Sequence, residues 1–383
     1  MQRRYSRLWL MVCGLILLIP PGASAAPGFK TAISGSYHTL ALKPDGYLWA
    51  WGYNYNGQLG LGDTNDRNAP TRVGPGFVSV AAGLYHSLGI KADGTLWAWG
   101  RNNFGQLGLG DNTTRNVPVS MGTGPSFWPW VAVAAGAYHT LGLKADSSLW
   151  VWGYNNSGQL GLGDNADRNA PVFMGAGYVA VAAGAYHSLA LRADGIIFAW
   201  GYNAYGQLGL GDLNDRNAPA QVNSLWYKAI AAGYYHSVAV SAVGFIHTWG
   251  LNSSGQLGTG DTTNKSLPYG VGIDSDWVAA AAAGYHTLGL KGSGGLWAWG
   301  QNTYGELGLG DTNNRLAPVQ VSTDWVAIAA GLYHSLGYKS DGNLWAWGRN
   351  NLGALGLGDN TNRLSPEKVP SFNPNRSVVI PLN

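Results

Sequence analysis

Residues 331–359 read GLYHSLGYKSDGNLWAWGRNNLGALGLGD. The segment Tyr333–Lys339 alternates, with His334, Leu336 and Tyr338 on one side of an extended strand. Asp341-Gly342 is a tight hairpin signal, because glycine takes positive φ at little cost. The next strand, Leu344–Gly348, puts Trp345 and Trp347 on one face. A glycine-dense loop, 353–359, follows, and Pro366 precedes a short edge strand around residues 367–369. With the apolar run 326–331 before it, the unit supplies about four short strands, the size of one propeller blade.

The same order of signals fills the rest of the chain. Tyr-His-[Ser/Thr], then Trp-Gly-x-Asn, then Leu-Gly-x-Gly-Asp, then a basic residue and proline occur seven times. His38, His86, His139, His187, His236, His286 and His334 mark the beat, with gaps of 48, 53, 48, 49, 50 and 48 residues. A period near fifty without helical periodicity predicts an all-β array of small sheets, not one globular core. The tryptophans of the seven Trp-Gly pairs are expected in the core, since each ring buries about 150–250 Å².

Residues 1–26 read as a secretory signal peptide. Arg3, Arg4 and Arg7 precede the apolar run Leu8–Ile19, and Ala23-Ser24-Ala25 supplies small residues for cleavage. An uncleaved anchor is the alternative, but the run falls short of the roughly 20 residues of a spanning helix. Residues 27–383 are expected to form one domain, exported to the periplasm, cell surface or medium. The signal carries three of the 23 basic residues and none of the 20 acidic ones, so the remainder balances at 20 against 20. A nucleic-acid partner is therefore not expected. The single cysteine, Cys13, lies in the signal, which leaves no internal disulfide and no thiolate ligand in the mature chain.

The combined motif G-x-Y-H-[ST]-L…L-W-A-W-G-x-N-x-x-G-Q-L-G-L-G-D resembles the regulator of chromosome condensation (RCC) repeat, and all seven units match that pattern with substitutions at single positions. The resemblance implies a closed seven-bladed β-propeller with about four short antiparallel strands per blade. Closure by strands from both chain ends would involve residues 29–33 and 378–382.

Apparent chemistry in the repeats reads as scaffold. Seven histidines spread round a ring cannot share an ion at about 2.0–2.1 Å, so they are expected to hydrogen-bond neighbouring backbone. The Asp of each glycine loop resembles the start of a calcium loop, but the residue four positions on is basic every time, from Asp63/Arg67 to Asp359/Arg363. A structural charge pair or loop cap is the expectation there. Neither a cofactor, a metal nor an enzymatic constellation is expected.

Positions that vary between repeats are not dictated by the scaffold. After Trp-Gly they hold Tyr53, Tyr55, Phe104, Tyr154, Tyr202, Tyr205 and Tyr304, joined by Arg101 and Arg349. On a propeller these share one rim, and Tyr and Arg are enriched where proteins bind each other. The alternative is that the rings simply cover the loops beneath them. One spacing is also longer: 21 residues separate Pro118 from His139, and the insertion carries Trp128 and Trp130. It serves either as an aromatic loop for a partner or as a plug folded between blades.

The expected function is an extracytoplasmic, monomeric protein-interaction scaffold of the aromatic rim, with no membrane insertion after signal cleavage. Guanine-nucleotide exchange on a small GTPase and a purely structural surface module are the alternatives. Ultraviolet sensing like that of plant photoreceptor propellers needs G-W-R-H-T, and this chain has Tyr where that motif has Arg.

Overall fold

The computed structural model describes residues 31–124 and 127–370; residues 1–26, read as a signal peptide, lie outside them. Blade 1 is a four-stranded antiparallel sheet of β1 (Thr31–Ser34), β2 (His38–Leu42), β3 (Leu48–Gly52) and β4 (Arg67–Gly74), paired in chain order. Six further sheets of the same order span residues 77–122, 130–176, 178–221, 227–270, 277–322 and 325–368. They form a seven-bladed β-propeller, and the described residues contain no helix.

The innermost strand of each blade lines the axis. Six of these strands end in Ala and β1 in Ser34, and these small residues leave a central cavity of about 100 Å³ whose mouth is lined by Leu84, Tyr234 and Leu332. The second strand is buried on both faces because a neighbouring blade covers each side. The outermost strand is an exposed edge and carries the repeat proline. In blade 7 it runs Arg363–Lys368, so Pro366 lies inside the strand and not before it. An edge tolerates this because the missing N–H faces no further strand.

Among the described residues the ring closes by contact between whole blades. β1 pairs with β2 inside blade 1, from Thr31↔Leu42 to Ser34↔Thr39. No sheet among the described residues mixes the two chain ends, and residues 29–30 and 378–382 lie outside those described. Blade 7 meets blade 1 through the seam used between all other blades. Gly358 N donates to Asn68 O at 2.9 Å, and Trp51 Nε1 donates to Ala354 O at 2.8 Å.

Two ends of the propeller have different components. The Tyr-His turns and the Trp-Gly loops meet at one end, here the upper face, where Tyr53 N donates to Tyr37 O at 3.0 Å. The second-to-third-strand hairpins and the blade-to-blade connections meet at the lower face, where Phe77 N donates to Gly46 O at 3.2 Å. At Gly52 the close approach at the upper face forbids a side chain. Its φ is +98° and a Cβ would fall 2.6 Å from Tyr37 O.

Candidate functional site

The histidines form a closed relay across the seams. His38 Nε2 contacts Ser87 Oγ of the next blade at 2.9 Å, His139 contacts Ser188 at 2.9 Å, and His187 contacts Ser237 at 2.9 Å. The ring closes from His334 of blade 7 to Thr39 of blade 1 at 3.2 Å, with Ser34 Oγ closer still. Each hydroxyl in turn donates to a loop carbonyl, as Ser87 does to Gln58 O at 2.8 Å. The direct partner is thus a side-chain hydroxyl of the next blade, not the neighbouring backbone expected. All seven are buried, and burial lowers their pKa to about 3. A His–Ser pair resembles a nucleophile and its base, but no reactant reaches these atoms.

The loop carboxylates are pinned in every blade. Asp63 Oδ2 takes Arg67 Nη2 at 2.6 Å while its Oδ1 accepts the Asn65 N–H at 2.9 Å and Asn54 Nδ2 at 3.2 Å. The other blades repeat this, with Lys265 Nζ 2.9 Å from Asp261 in blade 5. These backbone bonds and ion pairs hold the carboxyls below their ordinary range, Asp261 at about 2, chiefly through Lys265. The pair both caps and clamps its loop.

That clamped loop carries the variable aromatics onto the upper face. There they meet a set that sequence reading passed over: the tyrosine before each histidine. Tyr37 lies 6.3 Å from Tyr85 and 6.1 Å from Tyr333 between ring centroids, and Tyr186 lies 6.3 Å from Tyr138 and from Tyr235. Together they circle the axis half-buried, with Tyr37 and Tyr235 raised to about 12 by burial and then by neighbouring phenols. These tyrosines recur in every repeat, which disguised them as scaffold. The usable signal was a hydrophilic phenol at a turn beside the axis.

The expected rim residues pack on this inner ring. Tyr53 lies 6.2 Å from Tyr37 and 6.4 Å from Tyr55, and Tyr55 is 73% exposed. Phe104 lies 4.7 Å from Tyr154 and 5.4 Å from Tyr138. Tyr205 lies 6.2 Å from Tyr202 and 5.3 Å from Tyr235, and Tyr304 lies 5.7 Å from Tyr333. Arg101 stacks over Tyr85 and Tyr138 at 5.7 and 5.4 Å, and Arg349 over Tyr304 and Tyr333 at 4.9 and 5.2 Å. The rings therefore cover loops and also form one continuous aromatic surface.

Trp128 and Trp130 do not belong to that surface. Their segment is a blade-to-blade connection on the lower face. Trp130 opens the innermost strand of blade 3 and is buried against Trp152 at 5.7 Å. Trp128 remains half-exposed, so the insertion both plugs and projects.

One upper loop is chemically odd. Blade 6 has Glu306 where five other blades have glutamine, as at Gln58 and Gln256. Its Oε2 accepts the Tyr304 N–H at 2.7 Å, but the buried Oε1 has no partner, and burial raises the carboxyl to about 7.

Comparison with known proteins gives a consistent picture. The family model described as RCC1-like domain matches residues 179–381, and the regulator of chromosome condensation (RCC1) repeat matches residues 45–90, 93–143 and 146–191. The ultraviolet-B receptor UVR8 of Arabidopsis thaliana is 33% identical over 160 residues, covering 40% of this chain and 36% of the receptor. A human probable E3 ubiquitin-protein ligase, HERC3, is 34% identical over 141 residues, 37% of this chain but 9% of the ligase. The chain thus spans about a third or less of these relatives. Among solved structures, human WBSCR16 superposes with a TM-score of 0.76 at 24% identity, covering 85% of this chain and 94% of that one. Yeast RCC1 (Prp20), solved bound to Kap60, gives 0.76 at 22% identity, covering 92% and 89%. At these identities the structures establish the fold.

Proposed function

Because the chain belongs to the RCC1-like domain family, we propose that it is a non-enzymatic propeller that binds a protein partner through its upper face, outside the cytoplasm. The observation that carries this reading is the continuous aromatic surface of the tyrosine ring and its loop residues. Tyr supplies large, rigid contact area with little rotamer entropy to lose, which suits protein recognition. Arg101 and Arg349 add cations already held by two rings each, so little ordering remains to be done on binding. The signal-like residues 1–26 are the support for export.

The family adds a general precedent. One solved relative is yeast Prp20p, whose structure was described with its binding to Gsp1p and histones. The specific partner is not transferred.

The test is capture of partners from the envelope and medium of the source organism with the mature protein. A variant with Tyr53, Tyr55, Tyr202, Tyr205 and Tyr304 changed to Ser, its fold checked by circular dichroism, runs beside it. The expected result is a partner retained by the wild type and lost with the variant. A partner held equally by both would overturn the upper-face assignment.

A further inference from the structure

The seven-fold repeat provides an internal control for exposed residues. In blade 2 the lower hairpin between the second and third strands reads Lys91-Ala-Asp93-Gly-Thr95, and Lys91 Nζ sits 3.9 Å over Trp97. Five blades carry Asp at the hairpin position of Asp93, including Asp45, Asp146, Asp194 and Asp341. Blade 5 instead reads Ser241-Ala-Val243-Gly-Phe245, with His247 in place of the tryptophan. The fold does not require this apolar turn, since the polar version builds the same hairpin elsewhere. Val243 is nevertheless 71% exposed and Phe245 is also exposed.

Its neighbours continue the departure. Leu225 and Trp226, in the connection from blade 4, are exposed, Trp226 at 69%, and the Trp226 carbonyl accepts the Ala242 N–H at 2.8 Å. On the other flank the connection to blade 6 abuts Gly244 through Ser275 and carries Ile273 at 91% exposure. Three separate loops therefore place apolar tips side by side at one end of the propeller. Elsewhere on the ring, at this same face, Phe127 and Trp128 project from the connection between blades 2 and 3.

We infer that the lower face is an interfacial membrane-binding surface, which lays these loop tips into the headgroup region of a lipid bilayer. The occupant follows from the layout. Two apolar clusters, on different connections but at one end of the molecule, are met together by a flat partner. Trp, Phe and aliphatic tips suit the bilayer interface, where an apolar body enters and polar atoms stay wet. Charge nearby balances as a set: Lys291 bridges Asp274 at 2.8 Å and Asp276 at 3.2 Å, Arg192 pairs with Asp194, and Lys228 supplies the third cation against the three aspartates. A neutral lipid surface is thus enough. Lys228, exposed two residues after Trp226, supplies a cation for headgroup phosphates.

Adsorption through loop side chains is distinct from a spanning segment, and it is independent of the upper face. The test is co-sedimentation of the whole protein with phosphatidylcholine vesicles. It compares wild type with W226S/V243D/F245T, in which two residues are those other blades already use, and with F127S/W128S. Wild type is expected to sediment with lipid, and each variant to partition at least about tenfold more weakly. The tyrosine-to-serine variant of the upper face should bind vesicles like wild type. Wild type left in the supernatant at millimolar lipid, or variants that sediment as well as wild type, would overturn the proposal. So would a wild-type dimer in light scattering that W226S/V243D/F245T dissociates without any vesicle binding, which would assign the face to a second copy.

Discussion

The Nε2 of His187 lies 2.9 Å from Oγ of Ser237 in the next blade, and that hydroxyl donates to the Gln207 carbonyl at 2.8 Å. A hydroxyl that gives its proton to a carbonyl can only accept from the histidine. His187 must therefore be the Nε2–H tautomer with a bare Nδ1, and that buried Nδ1 indeed has no partner. The indole N–H of Trp249 reaches the same carbonyl at 2.8 Å, so one loop oxygen ties two groups of the following blade. Each seam is thus a directional chain of neutral hydrogen bonds.

Removing the hydroxyl leaves the His187 N–H buried without an acceptor. Ser237→Ala should cost about 1–3 kcal/mol in urea unfolding. Ser237→Thr should cost far less, because Thr140 and Thr287 play this part in other seams. Equal losses for the two variants would show that the hydroxyl is not what the seam uses.

The histidines make the fold acid-sensitive. Their folded pKa is near 3, below the unfolded 6.5, so the unfolded chain alone takes up protons between these values. Stability must then fall as pH drops below about 6.5, by roughly 1 kcal/mol per histidine between pH 7.5 and 5.5. Summed over the ring this is several kcal/mol. Urea midpoints measured at the two pH values check it, and an unchanged midpoint would rule the effect out.

Glu306 acts with the opposite sign. Its carboxyl is raised from 4.5 to about 7 by burial, so ionisation penalises the folded state increasingly from about pH 4.5 and fully above pH 7. Glu306→Gln restores the residue of the other blades. It should stabilise by roughly 3 kcal/mol at pH 8 and by about 1 kcal/mol at pH 5.5. A gain independent of pH would point to packing in place of charge.

Ser147 sits at the hairpin position where six blades use glycine, at φ +64°. Ser147→Gly should relieve the left-handed strain and raise stability by about 1 kcal/mol, read as a higher thermal midpoint. A lower midpoint would mean that the unfolded-state entropy of glycine outweighs that relief.

Much of the architecture was legible because it is local. Alternation, the Asp-Gly turns and the seven-fold beat follow from φ/ψ preference and burial within a few residues, and they define strands and blades. The Asp–basic pairs are four residues apart, and the structure shows each as a clamp of its own loop. The variable aromatics could also be located, since they follow a fixed Trp-Gly.

What the chain alone left open depends on contacts between blades. The acceptor of His38 is 49 residues away, and that of His334 closes the ring 295 residues back. No spacing rule reaches that far; the seam exists only when whole sheets are packed side by side. For the same reason the repeated tyrosines looked like scaffold until seven of them met around one axis. Whether Trp130 faced a partner or plugged a seam likewise stayed open until its strand carried it into the core beside Trp152. Sequence determined the blade and its count, because those rest on short-range geometry. The tertiary structure decided which side chains share a face, because only rigid packing of distant strands brings them together.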